Sequence, residues 1–235
     1  MIRICLLLCF IFGSGCLLAQ GDIGRRQLLD NSAIEYLRIA GNQSTLYYGK
    51  GQDGHPRATN HPYLITTQYA KARLSYLGVI YPEALLRLDL SRDELIVQSP
   101  DFRSIVLFPE NVDFAELHDQ NIIYFRRDTL PDCPSTGYYI LLYSGNCKVL
   151  EKQTAAYMLN QSSGQFFYSL STKFYLYKDG VYYNIKNKQG LIKALNPYKK
   201  EVKHFISTNH LKFRKNPEEF LIRTVSEYEK LNGSL

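Results

Sequence analysis

The sequence predicts an α+β fold: an antiparallel β-meander, curved into an open sheet, a sandwich or a barrel, followed by C-terminal helices. Three observations predict it. Short segments with a period of two recur about every 8–12 residues between polar turns. The connections between them leave no room for crossover helices, which excludes a parallel doubly wound sheet. At Gln189 the apolar period changes to about 3.6, which marks helices.

The elements follow in order. Arg3 and the apolar run Ile4 to Phe12 have the form of a signal peptide over residues 1–19, with Gly13, Ser14 and Gly15 breaking the run and Ala19 preceding Gln20 at the expected cleavage point. The run is too short for a retained membrane anchor, which needs roughly 20 apolar residues. Cys16 after Gly15 offers lipidation as the alternative, although Gly13 stands where a lipid-attachment motif carries a branched apolar residue. The chain is therefore expected to be exported, to the periplasm or the outer membrane. Residues 20–43 form an N-terminal helical segment. Ser32 and Glu35 match a capping box that starts a helix just before Ala33, with Ile34, Leu37 and Tyr36 toward the core and Gly41-Asn42 at its end.

Residues 44–187 are the expected β domain. Its strands are Thr45–Lys50, Ala70–Tyr76, Leu86–Leu90, Leu95–Gln98, Arg103–Phe108, Val112–Leu117, Asn121–Arg126, Gly137–Tyr143, Cys147–Lys152, Gln165–Leu170, Lys173–Lys178 and Val181–Ile185. Gly51–Gly54 is a turn, His55–Pro62 an irregular loop and Lys178-Asp179-Gly180 a hairpin signal. Residues 188–235 form a basic helical cap in three segments. Leu191, Leu195, Tyr198, Val202, Phe205 and Ile206 make one stripe, Asn196 and Pro197 start the second helix, and Asn216-Pro217-Glu218-Glu219 start the third. Leu221, Val225 and Tyr228 supply the seam of that last helix.

Charge is uneven. From Lys173 onward the chain carries 13 Lys and Arg against 6 Asp and Glu, whereas residues 21–172 carry 14 against 16. Lys199, Lys200, Lys203, Lys212, Arg214 and Lys215 are the candidates for contact with an anionic surface, with a solvated helical face as the default. Cys133 and Cys147 remain after the leader. At the two ends of a hairpin arm they stand roughly 20 Å apart, so free thiols are expected, with a bridge as the alternative if the Pro131–Pro134 loop folds back.

Five histidines, His55, His61, His118, His204 and His210, carry no zinc-ligand spacing, and His55 and His61 read as turn residues of one loop. Asp89, Asp93 and Glu94 crowd a hairpin turn without the spacing of a calcium loop. No nucleophile elbow, metalloprotease helix or phosphate-binding glycine loop occurs. No catalytic residue, metal or cofactor is assigned, and no nucleic acid is expected as partner. The adjacent pairs Tyr47-Tyr48, Tyr138-Tyr139 and Tyr182-Tyr183 place neighbours on opposite faces of a strand, so one of each pair is a candidate for stacking on a peptide or sugar. Packing inside the sheet is the competing use.

The strings Ser44-Thr-Leu-Tyr-Tyr-Gly49, His61-Pro-Tyr63 and Leu88-Asp-Leu-Ser-Arg-Asp-Glu-Leu-Ile-Val97, with Tyr182-Tyr183, Lys186-Asn-Lys188, Lys199 to Ile206 and Tyr228 further on, resemble an uncharacterised family of exported envelope proteins of Bacteroidetes-type bacteria. The chain departs from that family's pattern at Asn60, where glycine precedes the histidine, and at Leu88, where tyrosine stands. The resemblance implies an envelope location and a β domain with C-terminal helices. It carries no activity. The expected function is a non-catalytic envelope protein that binds a partner protein, peptide or glycan, with an outer-membrane or periplasmic protein as partner and peripheral rather than spanning contact with the membrane. A hydrolase of envelope polymers is the alternative. A carrier of a lipid or other hydrophobic ligand is the third reading, and it requires a cavity lined by the Leu86–Leu90 and Ile105–Phe108 strands.

Overall fold

The computed structural model describes residues 15–127, 129–130 and 132–233. The apolar run Ile4–Phe12 of the expected leader lies outside the described residues.

The first helix, α1 (Gly15–Ala40), is longer than the capping signal predicts. Ser32 lies inside it, where its hydroxyl donates back to the Leu28 carbonyl at 2.9 Å, and Glu35 pairs with Arg38 at 2.7 Å rather than closing a capping box. Of the three expected core residues only Leu37 packs against the core, whereas Ile34 and Tyr36 are exposed.

Among the described residues eleven strands follow: β1 (Lys50–Gly51), β2 (Ala70–Tyr76), β3 (Val79–Asp89), β4 (Glu94–Gln98), β5 (Ser104–Val106), β6 (Val112–Leu117), β7 (Gln120–Phe125), β8 (Gly137–Ser144), β9 (Lys148–Asn160), β10 (Gln165–Lys178) and β11 (Val181–Ile185). They form one open antiparallel sheet in the order β1-β5-β4-β3-β2-β6-β7-β8-β9-β10-β11. The meander therefore runs outward from β2 to β5, returns to β2 with β6, and continues the other way to β11. The expected strand at Thr45–Lys50 is instead a 3-10 turn over Thr45–Tyr47, because the Ser44 hydroxyl accepts the Leu46 N–H and Leu46 plunges into the core. The two segments expected at Gln165–Leu170 and Lys173–Lys178 are one strand, β10, paired without interruption to β9.

The sheet curves with help from a bulge where β2 meets β3: the register shifts between Ala72 and Leu74, beside Pro82 of β3. This curl brings the β3–β4 turn onto β8 and β9. Asp93 accepts the Lys152 ammonium at 2.6 Å and the Tyr138 N–H at 3.2 Å, and Lys152 also donates to the Tyr138 carbonyl at 2.9 Å. Burial of Lys152 lowers its pKa, and Asp93 opposes that shift. Gly137, at φ +148°, lets Asp93 approach; any Cβ there would strike its carboxylate and lie 2.6 Å from Lys152 Nζ.

Two apolar cores share the concave face. The first, inside the curl, contains Leu74, Tyr76, Leu86, Leu88, Leu95, Val97, Leu117, Ile122 and Ile140, and reaches Ala155 and Tyr168 of β9 and β10. The second lies between β8–β11 and three helices, α2 (Lys188–Ala194), α3 (Lys199–Thr208) and α4 (Pro217–Gly233). The three expected helical segments thus form, and Leu191, Leu195, Val202, Ile206, Leu221, Val225 and Tyr228 are buried as their periodicity predicts. Helix α3 starts at Lys199, two residues later than expected; Asn187 caps α2, and Asn216 caps α4 by accepting the Glu219 N–H at 3.1 Å. Glu151 lies at the junction of the two cores, opposite Ile140 of the first and beside Val149 of the second.

Candidate functional site

Beyond Lys152 and Lys173, β9 and β10 continue as a two-stranded arm. From Gln153 to Thr172 this arm contains no Asp, Glu, Lys, Arg or His, in a chain that is 21% charged. Alternation gives the arm two faces. One carries Ala155, Tyr157, Leu159, Phe166, Tyr168 and Leu170; the other carries Met158 and Phe167 among Thr154, Ala156, Ser169 and Ser171. The base is buried through Ala155 and Tyr168. Toward the tip Tyr157 is 40%, Met158 48% and Leu159 49% exposed and Phe166 is exposed as well, as is Leu170 opposite Ala155 at the base. Tyr157 stacks on Phe166 with centroids 4.9 Å apart and planes 3° from parallel, which stiffens the arm. Exposed apolar side chains gathered on one face, here Tyr157, Leu159 and Phe166, mark an interaction surface.

The loop between β1 and β2 anchors the arm. The Arg57 carbonyl accepts the Tyr157 hydroxyl at 3.0 Å, the Phe166 carbonyl accepts the Thr59 N–H at 2.9 Å, and the Asn60 side chain accepts from Tyr168 N at 2.7 Å and donates to Tyr168 O at 2.9 Å. At the centre stands a chain of three side chains. Asp89 at the end of β3 is fully buried; its Oδ1 accepts Ser91 N and Ser91 Oγ at 2.9 Å and Arg92 N at 3.2 Å, and its Oδ2 meets His55 Nε2 in a short contact. His55 Nδ1 faces the Tyr168 hydroxyl at 3.0 Å. With Nε2–H directed at the carboxylate, a neutral ring leaves Nδ1 to accept the tyrosine proton. Arg92 donates to the carbonyls of Asp53 at 2.5 Å and Gly54 at 3.0 Å, and Tyr63 sets its ring edge-on to His55 at 5.5 Å.

An Asp–His–Tyr relay has the composition of a nucleophile with its base and orienting acid. Its surroundings assign it another role. Tyr168 is only 4% exposed, and burial, reinforced by the charge of Asp89, raises its pKa above the ordinary tyrosine value. The hydroxyl keeps its proton and cannot be reached by a polymer. The relay is a clamp that ties β10 to the end of β3.

The tyrosine pairs fall differently. Tyr138 and Tyr139, expected to leave one ring in solvent, are both buried: Tyr138 in the first core against Tyr124, and Tyr139 on the other face against Phe125, Tyr175 and the Lys152 ammonium. Tyr48 is exposed, and Tyr47 is half-buried against the first core. Tyr182 and Tyr183 are half-buried, Tyr182 against Phe125 and Tyr177, and Tyr183 against the second core. The structure does not bring the three pairs together as one surface. Lys199, Lys200 and Lys203 on α3 and Lys212, Arg214 and Lys215 before α4 are all exposed. Lys212 and Lys215 border a cleft of about 310 Å³ with Arg223, whose guanidinium is held by Glu219 and Asn209. A second cleft, about 550 Å³, lies by Arg73, Glu83, Glu116 and His118.

Cys133 and Cys147 are not bridged, and burial first, then the charge of Glu229, pushes the Cys147 thiol up to about 12. Among the described residues no group of three or more His, Cys, Asp or Glu gathers to hold a metal ion, and no helix is long and apolar enough to cross a membrane. No protein-family model, curated protein or solved structure matches this chain.

Proposed function

We propose that the protein is an exported, non-catalytic component of the cell envelope, and that it binds an extended, uncharged segment of a protein along the β9–β10 arm. The observation that carries this reading is the exposed apolar tip at Tyr157, Met158, Leu159 and Phe166 on an arm free of charge, held rigidly by a buried polar clamp. Strand addition to a sheet edge draws its affinity from main-chain hydrogen bonds and its specificity from alternate side chains, and it needs a stiff, pre-organised edge. A hydrolase working through Asp89, His55 and Tyr168 is disfavoured, because Tyr168 is buried. A carrier would need a cavity lined by strands whose residues Leu86, Leu88, Leu90, Ile105 and Leu107 instead belong to one packed core.

A photoreactive residue at Met158, in cells that produce the protein, tests the reading. Irradiation is expected to join the chain covalently to a protein. Leu159→Pro, which removes an outward N–H at the arm's edge, is expected to reduce that adduct at least about tenfold while the purified variant stays folded. An adduct to lipid alone, or a protein adduct that Leu159→Pro leaves unchanged, contradicts the reading.

A further inference from the structure

The fold treats the two edges of the arm differently. In an antiparallel pair alternate residues direct N–H and C=O out of the pair. Ala155 N donates to the Leu90 carbonyl at 3.0 Å, so the odd-numbered residues of β9 are the outward set. Toward the tip that set is Tyr157 and Leu159, and among the described residues no protein group meets their outward main chain. The outer edge of β10 is covered at Phe166 and Tyr168 by Thr59 and Asn60. The open edge has none of the devices that blunt edge strands: no lysine, no proline, and no register shift against β10.

We infer that the strand received by β9 is β9 of a second copy of this chain, antiparallel about a two-fold axis at Met158; this rests on the strand-addition reading above. Pairing about a two-fold axis sets a segment against itself, so any charge it carried would meet charge of its own set. A partner of different sequence imposes no such restriction, and the arm is uncharged along its whole length. In this register Tyr157 lies beside the partner's Leu159 and Leu159 beside the partner's Tyr157, giving about four main-chain hydrogen bonds. Met158 meets the partner's Met158 at a non-hydrogen-bonded position, where Cα atoms approach to about 4.5 Å. Toward the base, Leu90 already holds Ala155, which limits the added ladder to residues 156–160.

The test uses the full folded chain carrying Cys133→Ser. With Met158→Cys added, mild oxidation is expected to yield a disulfide-linked dimer, since the spacing suits a bridge. Ala156→Cys lies beside the partner's Asn160 rather than beside itself, and is expected to cross-link at least about tenfold less. Adding Leu159→Lys to Met158→Cys is expected to lower cross-linking by at least about tenfold. Absence of cross-linking at Met158→Cys, or equal cross-linking at both positions, overturns self-pairing. If that result comes with a photo-adduct to a different protein, strand addition stands and only the second copy falls; with no protein adduct at all, both fall.

Discussion

Replacing Asp89 with alanine is expected to destabilise the protein by about 1–3 kcal/mol, the range for leaving buried donors without their acceptor. Asp89 is completely buried and receives four contacts, from His55, Ser91 N, Ser91 Oγ and Arg92 N. The substitution leaves the imidazole and two main-chain donors without an acceptor, and the Tyr168 hydroxyl loses the ring that fixes it. Urea unfolding measures the loss. A double-mutant cycle with His55→Ala is expected to show a coupling of at least about 1 kcal/mol, because the two side chains act through one hydrogen bond. A loss below about 1 kcal/mol for Asp89→Ala would mean that water already serves the carboxylate, and the arm would have no clamp.

Glu151→Gln is expected to stabilise the protein, by about 2–3 kcal/mol near pH 8 and by almost nothing near pH 4.5. Glu151 is 2% exposed at the junction of the two cores; its Oε1 accepts from Gln153 Nε2 at 2.8 Å and its Oε2 has no partner. Burial, with the nearby charge of Glu218 adding to it, pushes the carboxyl up to about 7 against an ordinary value of 4.5. The folded chain therefore keeps this proton up to about pH 7, whereas the unfolded chain releases it above about 4.5. The stability it contributes is complete below about 4.5 and is lost as the pH rises to about 7. Glutamine keeps the shape and the hydrogen-bonding reach without the charge. The readout is the difference in unfolding free energy between wild type and Glu151→Gln across that window, which cancels every other titrating group. A difference that does not change with pH would show that water reaches the carboxylate in the folded state.

The parts of the fold that the chain announces are those with local causes. Leu86, Leu88 and Leu90 alternate with Arg87 and Asp89 because one side of β3 faces the core, and Asn216-Pro217-Glu218-Glu219 starts a helix with groups that all act within one turn. Non-local causes are not legible in the same way. Ser171 and Thr172 look like a turn, but Thr154 and Gln153 across the strand pair hold them in a continuous ladder. Ser32 and Glu35 match a capping box that the longer helix α1 overrides. Tyr138 and Tyr139 do point to opposite faces, as neighbours on a strand must, but both faces of β8 are covered. His55 and Asp89 are 34 residues apart and His55 and Tyr168 are 113 apart, so no spacing connects them. One signal for the arm does lie in the sequence: the charge-free stretch Gln153–Thr172 between two lysines.

Amide hydrogen exchange of the purified chain at rising concentration examines the open edge most directly. In dilute solution the Tyr157 and Leu159 amides are expected to exchange at least about tenfold faster than Ala155, whose N–H is bonded to Leu90, and at high concentration they are expected to slow while Ala155 stays unchanged. Protection of Tyr157 and Leu159 equal to that of Ala155 in dilute solution would show that the chain closes its own edge, and the arm would then have no strand to receive.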